Sequence, residues 1–333
     1  LKRLLNELHR ADRAHSFFPP NSSVLIALSG GPDSVCLALL LGALRASRRL
    51  RIAAAHVHHG LRAGAARDEA WVRKFCEDRR IPFYSARVSV RGRAAARSES
   101  LEEAARRARY AALLRIARAR GFASVATGHT ADDQAETVLM RLAGGSGLWG
   151  LAGIPAVRNE GSVRIIRPLL KISKRDILAA LRRAGEAYRT DPSNRSERFL
   201  RNRLRRQMLP LMRKRLNPRL DEHLAELAED AGRWRLWAGA EASAFVRRHG
   251  RRRGRLLSFA AAPFGRLPEP LRAPVFIRIM ETLSGKEQHL RREHIRQIEE
   301  LLASPAQGER RLAMGGRVRK TGRGSSCRIV WTA

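Results

Sequence analysis

The chain predicts an α/β fold, with a doubly wound parallel sheet over residues 1–210 and a second, smaller, mostly helical domain over 211–333. Three observations lead there. Short β-branched and aliphatic runs alternate with longer helix-periodic stretches, the pattern of strands joined by crossover helices and covered on both faces. Three loops that leave such runs are rich in glycine or polar residues. After the turn signal Asp191-Pro192-Ser193-Asn194 the composition changes: Arg195–Arg219 holds ten Lys/Arg and a single acid, Glu197.

The elements follow in order. Leu1–Arg10 is charged and helix-periodic, unlike a signal peptide. Val24–Leu28, Ile52–Val57, Pro82–Val88 and Ser124–Thr127 read as strands. Val35–Arg45, Arg67–Arg80, Leu101–Arg120 and Ala131–Ala143 read as helices. The glycine-rich Gly144–Gly153 breaks the alternation, Val163–Leu170 resumes it, and Ile172–Ala184 reads as a helix capped by Ser173. Beyond the boundary near residue 210, Leu220–Arg248 and Ala273–Leu302 look helical and Val318–Trp331 looks extended. No internal repeat is present. Trp234 and Trp237, three apart, are expected in a core.

The 66 Lys+Arg against 31 Asp+Glu leave a net charge of +35, and only seven of the cations are lysines. At 44% hydrophobic residues the chain can bury a core, so it is not a disordered basic tail. A folded, arginine-rich protein of this kind is expected to meet a polyanion, nucleic acid first and an anionic membrane surface second. Cys36, Cys76 and Cys327 form no CxxC, which argues against a disulfide framework, a zinc ribbon or a cysteine-held cluster and fits a reducing cytosol. The longest apolar run, Val35–Leu44, is too short to span a bilayer. A cytoplasmic protein without a membrane segment is expected.

Ligands of such sheets sit beyond the strand carboxyl ends. Ser29-Gly30-Gly31-Pro32-Asp33-Ser34 follows a strand and opens a helix. Its glycines permit a tight turn that presents bare N–H groups to an anion, the helix adds its positive end, and Ser29 and Ser34 add hydroxyls. A carboxylate at Asp33 among phosphate-binding groups calls for a cation between them, which suggests Mg²⁺ at Asp33. The GxxxxGK[ST] signature is absent. A plain turn with Ser34 as helix N-cap is the alternative.

The hexapeptide resembles the SGGxDS pyrophosphate loop of the PP-loop ATPases. Four further stretches resemble one branch of them, the tRNA(Ile)-lysidine synthetases: His56-Val57-His58-His59-Gly60-Leu61-Arg62, Glu102-x-x-Ala105-Arg106-x-x-Arg109-Tyr110, Gly128–Thr137 and Gly147–Pro155. Asp191-x-Ser193-Asn194 followed by Arg201-Asn202-x-x-Arg205 continues the family order. In place of the arginine-glycine-serine often found before the glycine-leucine stretch, this chain has Gly144-Gly145-Ser146. The resemblance implies the adenine nucleotide α-hydrolase-like variant of the fold and an enzyme that is a carbon–nitrogen ligase. ATP adenylates the carbon-2 carbonyl oxygen of the wobble cytidine in a CAU anticodon and releases pyrophosphate. The ε-amine of free L-lysine then displaces AMP, so that codon specificity moves from AUG to AUA and identity from Met to Ile. ATP and Mg²⁺ are the implied cofactors and tRNA(Ile) is the partner. No protein partner is required, and a homodimer is compatible with the sequence.

Asp133 and Glu136 are three apart on a predicted helix, so their carboxylates share a face, and Asp132 and Glu136 could also meet. Paired carboxylates suit an ammonium ion that must be neutralised and deprotonated. The same residues would also suit a helix start, with Thr130-x-x-Asp133 as a capping arrangement. By resemblance Asp133 and Glu136 match the lysine-holding positions, Arg109 matches an arginine near the reacting groups, and His129 enters the helix; these four are the catalytic candidates. His58 and His59 are expected beside the nucleotide, and Cys36 in the core. Arg198, Arg201, Arg205 and Arg206, in a segment with one acid, are expected to contact tRNA. Arg247–Arg255 offers a second basic stretch, with a solvated face as its alternative. Two rivals remain open: a 2-thiocytidine-type PP-loop enzyme, and an RNA-binding module with an inactive nucleotide loop.

Overall fold

Six strands build the first sheet: β1 (Ser23–Ala27), β2 (Arg51–His58), β3 (Phe83–Arg87), β4 (Ser124–Ala126), β5 (Val157–Glu160) and β6 (Val163–Ile166). Their order is β3-β2-β1-β4-β6-β5, and all neighbours run parallel except β5, which pairs antiparallel with β6. Leu25 of β1 is level with Ala53 of β2 and Val125 of β4. The computed structural model describes residues 1–58, 65–88, 101–190, 200–285, 292–312, 316–322 and 327–332. Edge strand β5 escapes the sequence because Val157-Arg158-Asn159-Glu160 has a single apolar residue and ordinary edge polarity.

The helices are α1 (Lys2–His15), α2 (Pro32–Leu44), α3 (Ala65–Asp78), α4 (Leu101–Ala119), α5 (Ala131–Ala143), α6 (Leu148–Leu151) and α7 (Lys174–Arg183). Successive residues of a strand point to opposite faces, and both faces here are dry. Val24 and Ile26 pack with Leu8 of α1, Leu37 and Leu41 of α2, Val72 and Phe75 of α3 and Leu181 of α7. Leu25 packs the other way, with Tyr110, Leu113 and Ala117 of α4. Helix α2 is buried around most of its circumference, so it cannot show a one-sided stripe. Cys36 lies in that core as expected, and burial pushes its thiol up to about 12. Ser173 caps α7 by accepting the Asp176 amide, the cap its sequence predicts.

A basic segment follows, made of α8 (Leu200–Arg203), a π-helical turn (Leu204–Met208) and α9 (Leu209–Arg215). Then come α10 (Leu220–His249), β7 (Arg251–Arg253), β8 (Leu256–Ala260), α11 (Ala262–Gly265), α12 (Glu269–Ser284), α13 (Arg292–Ala303), β9 (Gly308–Arg311), β10 (Arg317–Thr321) and β11 (Arg328–Thr332). The chain divides into two compact units, Leu1–Thr137 with Ile154–Ala225, and Val138–Gly153 with Glu226–Ala333. The break thus falls after residue 225 where composition placed it near 210, because the basic segment folds onto α5.

The second unit is rich in helix, as expected, but also holds an antiparallel sheet of order β7-β8-β11-β10-β9. Of this sheet the sequence signalled only Val318–Trp331. Strand β7 is three arginines and β9 is Gly-Glu-Arg-Arg, so neither carries an apolar signature. Its core joins Phe259, Phe264, Phe276 and Trp331, with the last two ring centroids 5.6 Å apart. Trp237, expected in a core, is 54% exposed, whereas Trp234 meets Trp149 edge-on. No helix among the described residues is long and apolar enough to cross a membrane.

Candidate functional site

The strand order reverses at β1, which has β2 on one side and β4 on the other, so the loops leaving β1 and β4 flank a crevice at the carboxyl edge of the sheet. The loop after β1 is Ser29–Gly31. Gly30 has φ +88°, a left-handed conformation that favours glycine, and its carbonyl accepts the Arg189 amide at 2.8 Å. Helix α2 begins at Pro32 with Gly31 as its cap, so Ser34 is not the N-cap of the plain-turn alternative. Its hydroxyl instead faces back, 2.9 Å from the Gly31 carbonyl, 3.1 Å from Ser29 Oγ and 3.2 Å from the Ser29 amide. This fixes the loop around the positive end of α2, where first-turn amides have no intrahelical acceptors.

Asp33 meets Lys174 Nζ through Oδ2 at 3.2 Å, while Oδ1 is buried with no hydrogen-bond partner. Burial raises the Asp33 carboxyl above the usual range, against the pull of Lys174. One unsatisfied carboxylate oxygen beside orphan amides suits Mg²⁺, which takes one or two carboxylates and completes its shell with water and phosphate oxygens.

Gly128 carries β4 into contact with that loop: a methyl group there would stand 3.1 Å from both the Asp33 carbonyl carbon and the Ser34 amide. Thr127 Oγ1 holds His129 Nδ1 at 2.9 Å, and α5 starts two residues later. Asp133 does two jobs. Its Oδ2 accepts from the Thr130 amide at 2.9 Å and the Thr130 hydroxyl at 3.1 Å, the capping arrangement; its Oδ1 faces arginine. Glu136 is fully buried. Asp132 turns to another partner, accepting the Lys174 amide at 2.7 Å, so Lys174 ties the phosphate loop to the acid helix.

The carboxylate pair is saturated by Arg201 and Arg205. Arg201 reaches Glu136 Oε2 at 2.8 Å and Asp133 Oδ1 at 3.0 Å; Arg205 reaches Asp133 Oδ1 at 3.1 Å and both oxygens of Glu136. Arg213 bridges Asp132 and Asp221. Arg201 and Arg205, expected to contact tRNA, thus have carboxylate partners within the unit, and those acids come from far along the chain, where neighbour counting does not look. Arg206, like Arg203, Lys214 and Arg215, is exposed. Arg198 lies outside the described residues, as do His59, Asp191, Ser193 and Asn194. His56 is buried with its Nδ1 2.9 Å from the Leu28 carbonyl, a packing role, and His58 closes β2.

Charge states follow from these contacts. Burial would raise Asp133, but His129, Arg201, the Thr130 amide and Arg205 hold it below the usual carboxylate range. Burial drives His129 far below the ordinary histidine value, and Arg167, Arg106 and Arg109 lower it further against the pull of Asp133, so it is neutral near pH 7. Arg109 lies on α4 with its guanidinium carbon 5.9 Å from the Tyr110 ring. Lys174 and Arg167 were not among the sequence candidates. Lys174 had a faint signal, as one of seven lysines at the start of a capped helix.

A family profile described as PP-loop domain matches residues 3–212. Among curated relatives, the tRNA(Ile)-lysidine synthase of Symbiobacterium thermophilum is 43% identical over 68% of this chain and 47% of its own length. That of Dehalococcoides mccartyi is 36% identical over 85% of this chain and 61% of its own. The chain thus spans about half the length of the curated relatives it matches. A solved structure, the U34-tRNA thiolase NcsA from Methanococcus maripaludis with its [4Fe-4S] cluster, aligns with TM-score 0.58 at 21% identity over 69% of this chain and 80% of that one, a likeness of fold.

Proposed function

The chain belongs to the PP-loop domain family, and from that premise we propose that it uses ATP to ligate lysine to carbon 2 of the wobble cytidine of a CAU-anticodon tRNA(Ile). The observation that carries this reading is the juxtaposition of an anion-binding loop and a carboxylate pair across one crevice, joined through Gly128 and Lys174. The names of the relatives supply the substrate class.

The cytidine carbonyl oxygen attacks the α-phosphorus of ATP, forming an oxygen–phosphorus bond as the bond to pyrophosphate breaks. The Ser29–Ser34 loop binds the departing pyrophosphate through backbone N–H groups and hydroxyls that are already in place. Mg²⁺, when held through Asp33, supplies neutralisation of the phosphate charge. Lysine then attacks carbon 2, its amine proton is lost, and the carbon–oxygen bond to AMP breaks. Asp133 and Glu136 neutralise and orient the ammonium, and at least one of Arg201 and Arg205 must withdraw for it to enter. His129, held neutral by burial and bonded to Thr127, offers an uncharged hydrogen-bonding ring beside Asp133 rather than a proton acceptor, and Arg109 is assigned the stabilisation of phosphate charge. Arg206, exposed on the basic segment, contacts tRNA.

The saturated ion pairs favour a second reading, in which the two carboxylates anchor Arg201 and Arg205 for use on phosphate. One assay series separates the readings. The chain is incubated with ATP, unmodified tRNA(Ile) and labelled lysine or sulfide. Label from lysine in RNA supports ligation, sulfur supports thiolation, and neither leaves an RNA-binding module. In Glu136→Ala, adenylation should persist while the lysine requirement rises; lysine incorporation unchanged at low lysine transfers the acids to the anchoring role.

A further inference from the structure

Four arginines gather round Tyr110. Arg106 and Arg109 on α4 and Arg158 on β5 place their guanidinium carbons 5.2, 5.9 and 5.3 Å from the ring centroid. Arg167, beyond the end of β6 and only 2% exposed, adjoins the ring hydroxyl and donates from Nη1 to the Pro155 carbonyl at 2.6 Å. Among the described residues, Glu160 is the one carboxylate that pairs with Arg106, Arg158 or Arg167, and it reaches only Arg158, at 2.9 Å. Two buried guanidinium nitrogens here, Arg167 Nε and Arg158 Nε, have no hydrogen-bond partner, and the Tyr110 hydroxyl faces Arg167.

Buried cations left with unsatisfied donors are costly, and the cost is offset when an anion enters. Burial pushes the Tyr110 hydroxyl up, yet Arg167, Arg106 and Arg109 outweigh it and hold it below the ordinary tyrosine value, a sign of strong positive potential. The cluster stands at the same edge of the sheet as the nucleotide loop, because Arg167 follows β6, the neighbour of β4, and also acts on His129.

We propose that Arg106, Arg158, Arg167 and the Tyr110 hydroxyl form a second phosphate-binding pocket, separate from the Ser29–Ser34 loop. The chemistry favours a phosphodiester of the RNA substrate. The pocket has planar guanidinium donors, which suit a backbone phosphate, and among the described residues it lacks the free carboxylate that a metal-bridged triphosphate calls for. The RNA assignment rests on the function proposed above; the existence of an anion pocket does not.

Full-length wild type, Arg106→Gln, Arg158→Gln and Tyr110→Phe are compared for binding of a labelled CAU-loop RNA hairpin and of ATP across a KCl series, with thermal melts to confirm folding. Each arginine variant should weaken hairpin binding about tenfold and reduce the log–log salt slope by about 0.7, the value for one single-strand phosphate contact. Tyr110→Phe keeps the ring, so it should fold normally and lose about threefold. ATP affinity should stay within about twofold of wild type. Loss of ATP affinity with hairpin binding intact retains the pocket and makes the nucleotide its source of phosphate. If neither ligand responds in folded variants, or if wild type binds no hairpin and ATP is unaffected, the pocket is refuted. Labelled-lysine transfer is scored separately, so failure of the ligation reading is distinguishable.

Discussion

Arg201 and Arg205 share two carboxylates between them, whereas among the described residues Arg106, Arg158 and Arg167 have a single carboxylate partner, Glu160, which meets Arg158 alone, and both groups act on the surroundings of His129. The first group is a closed ion-pair network in which every charge is met inside the unit. The second is open, with guanidinium donors left over. The difference teaches that a net charge of +35 says little about which arginines await a polyanion. Partner geometry decides it, and acids distant in sequence can occupy arginines of a stretch that holds almost no acid of its own.

The largest effect should come from opening the closed network. Glu136→Gln leaves two guanidiniums short of charge, which should cost about 3 kcal/mol, the lower end for breaking a buried pair. For a unit of this size the melting midpoint should fall by about 6–12 °C. A shift below about 2 °C would mean that the arginines are solvated in solution, and the contrast between the groups would vanish.

Next is the pH response of His129, which both groups influence. Its folded value lies below the unfolded one, so the unfolded chain binds the extra proton and stability falls as pH drops below about 6.5. Chemical denaturation from pH 6.5 to about 4 should show a wild-type slope up to about 1.4 kcal/mol per pH unit steeper than that of His129→Gln. Asp133 acts in a lower window: its depressed folded value contributes stability that is lost only as pH falls below about 4. Equal slopes above pH 4 would remove His129 from the buried neutral state.

Arg201→Gln sharpens the comparison from the ligand side. With one guanidinium gone the acid pair carries surplus negative charge, and an ammonium gains about 0.7 kcal/mol, as for a partly exposed pair, or about threefold in lysine KM. A higher KM would favour the anchoring role. The smallest effect belongs to the open group, where Arg106→Gln should change stability by no more than about 0.5 kcal/mol, with a gain as the direction expected from relieving like charge. A loss comparable to that of Glu136→Gln would show the group to be closed by partners of its own.

The parallel sheet was legible because Val24–Leu28 is apolar without interruption and Ile52–Val57 is broken only by His56, the mark of burial on both faces. The conformation of the loop after β1 was legible because Gly30 takes a left-handed backbone, and glycine spacing records that directly. Edge strands β5, β7 and β9 were not, since each carries mostly charged or polar residues and owes its conformation to a neighbour. At the site, Asp133 and Glu136 could be placed on one face by helical spacing. Their pairing with Arg201 and Arg205, 65 to 72 residues away, could not, because no periodicity links α5 to α8. Arg167 was hidden among many arginines and is distinguished only by burial.

Gln134 carries a last consequence. Its side-chain carboxamide docks on the Ile154 peptide as a strand residue would, accepting from the amide at 2.6 Å and donating to the carbonyl at 3.3 Å. The backbone therefore re-enters the first unit at a pinned position, one residue ahead of the Pro155 carbonyl that steadies Arg167. Gln134 thus acts as the fixed point from which both the Ile154 peptide and, through Pro155, the Arg167 side chain take their position.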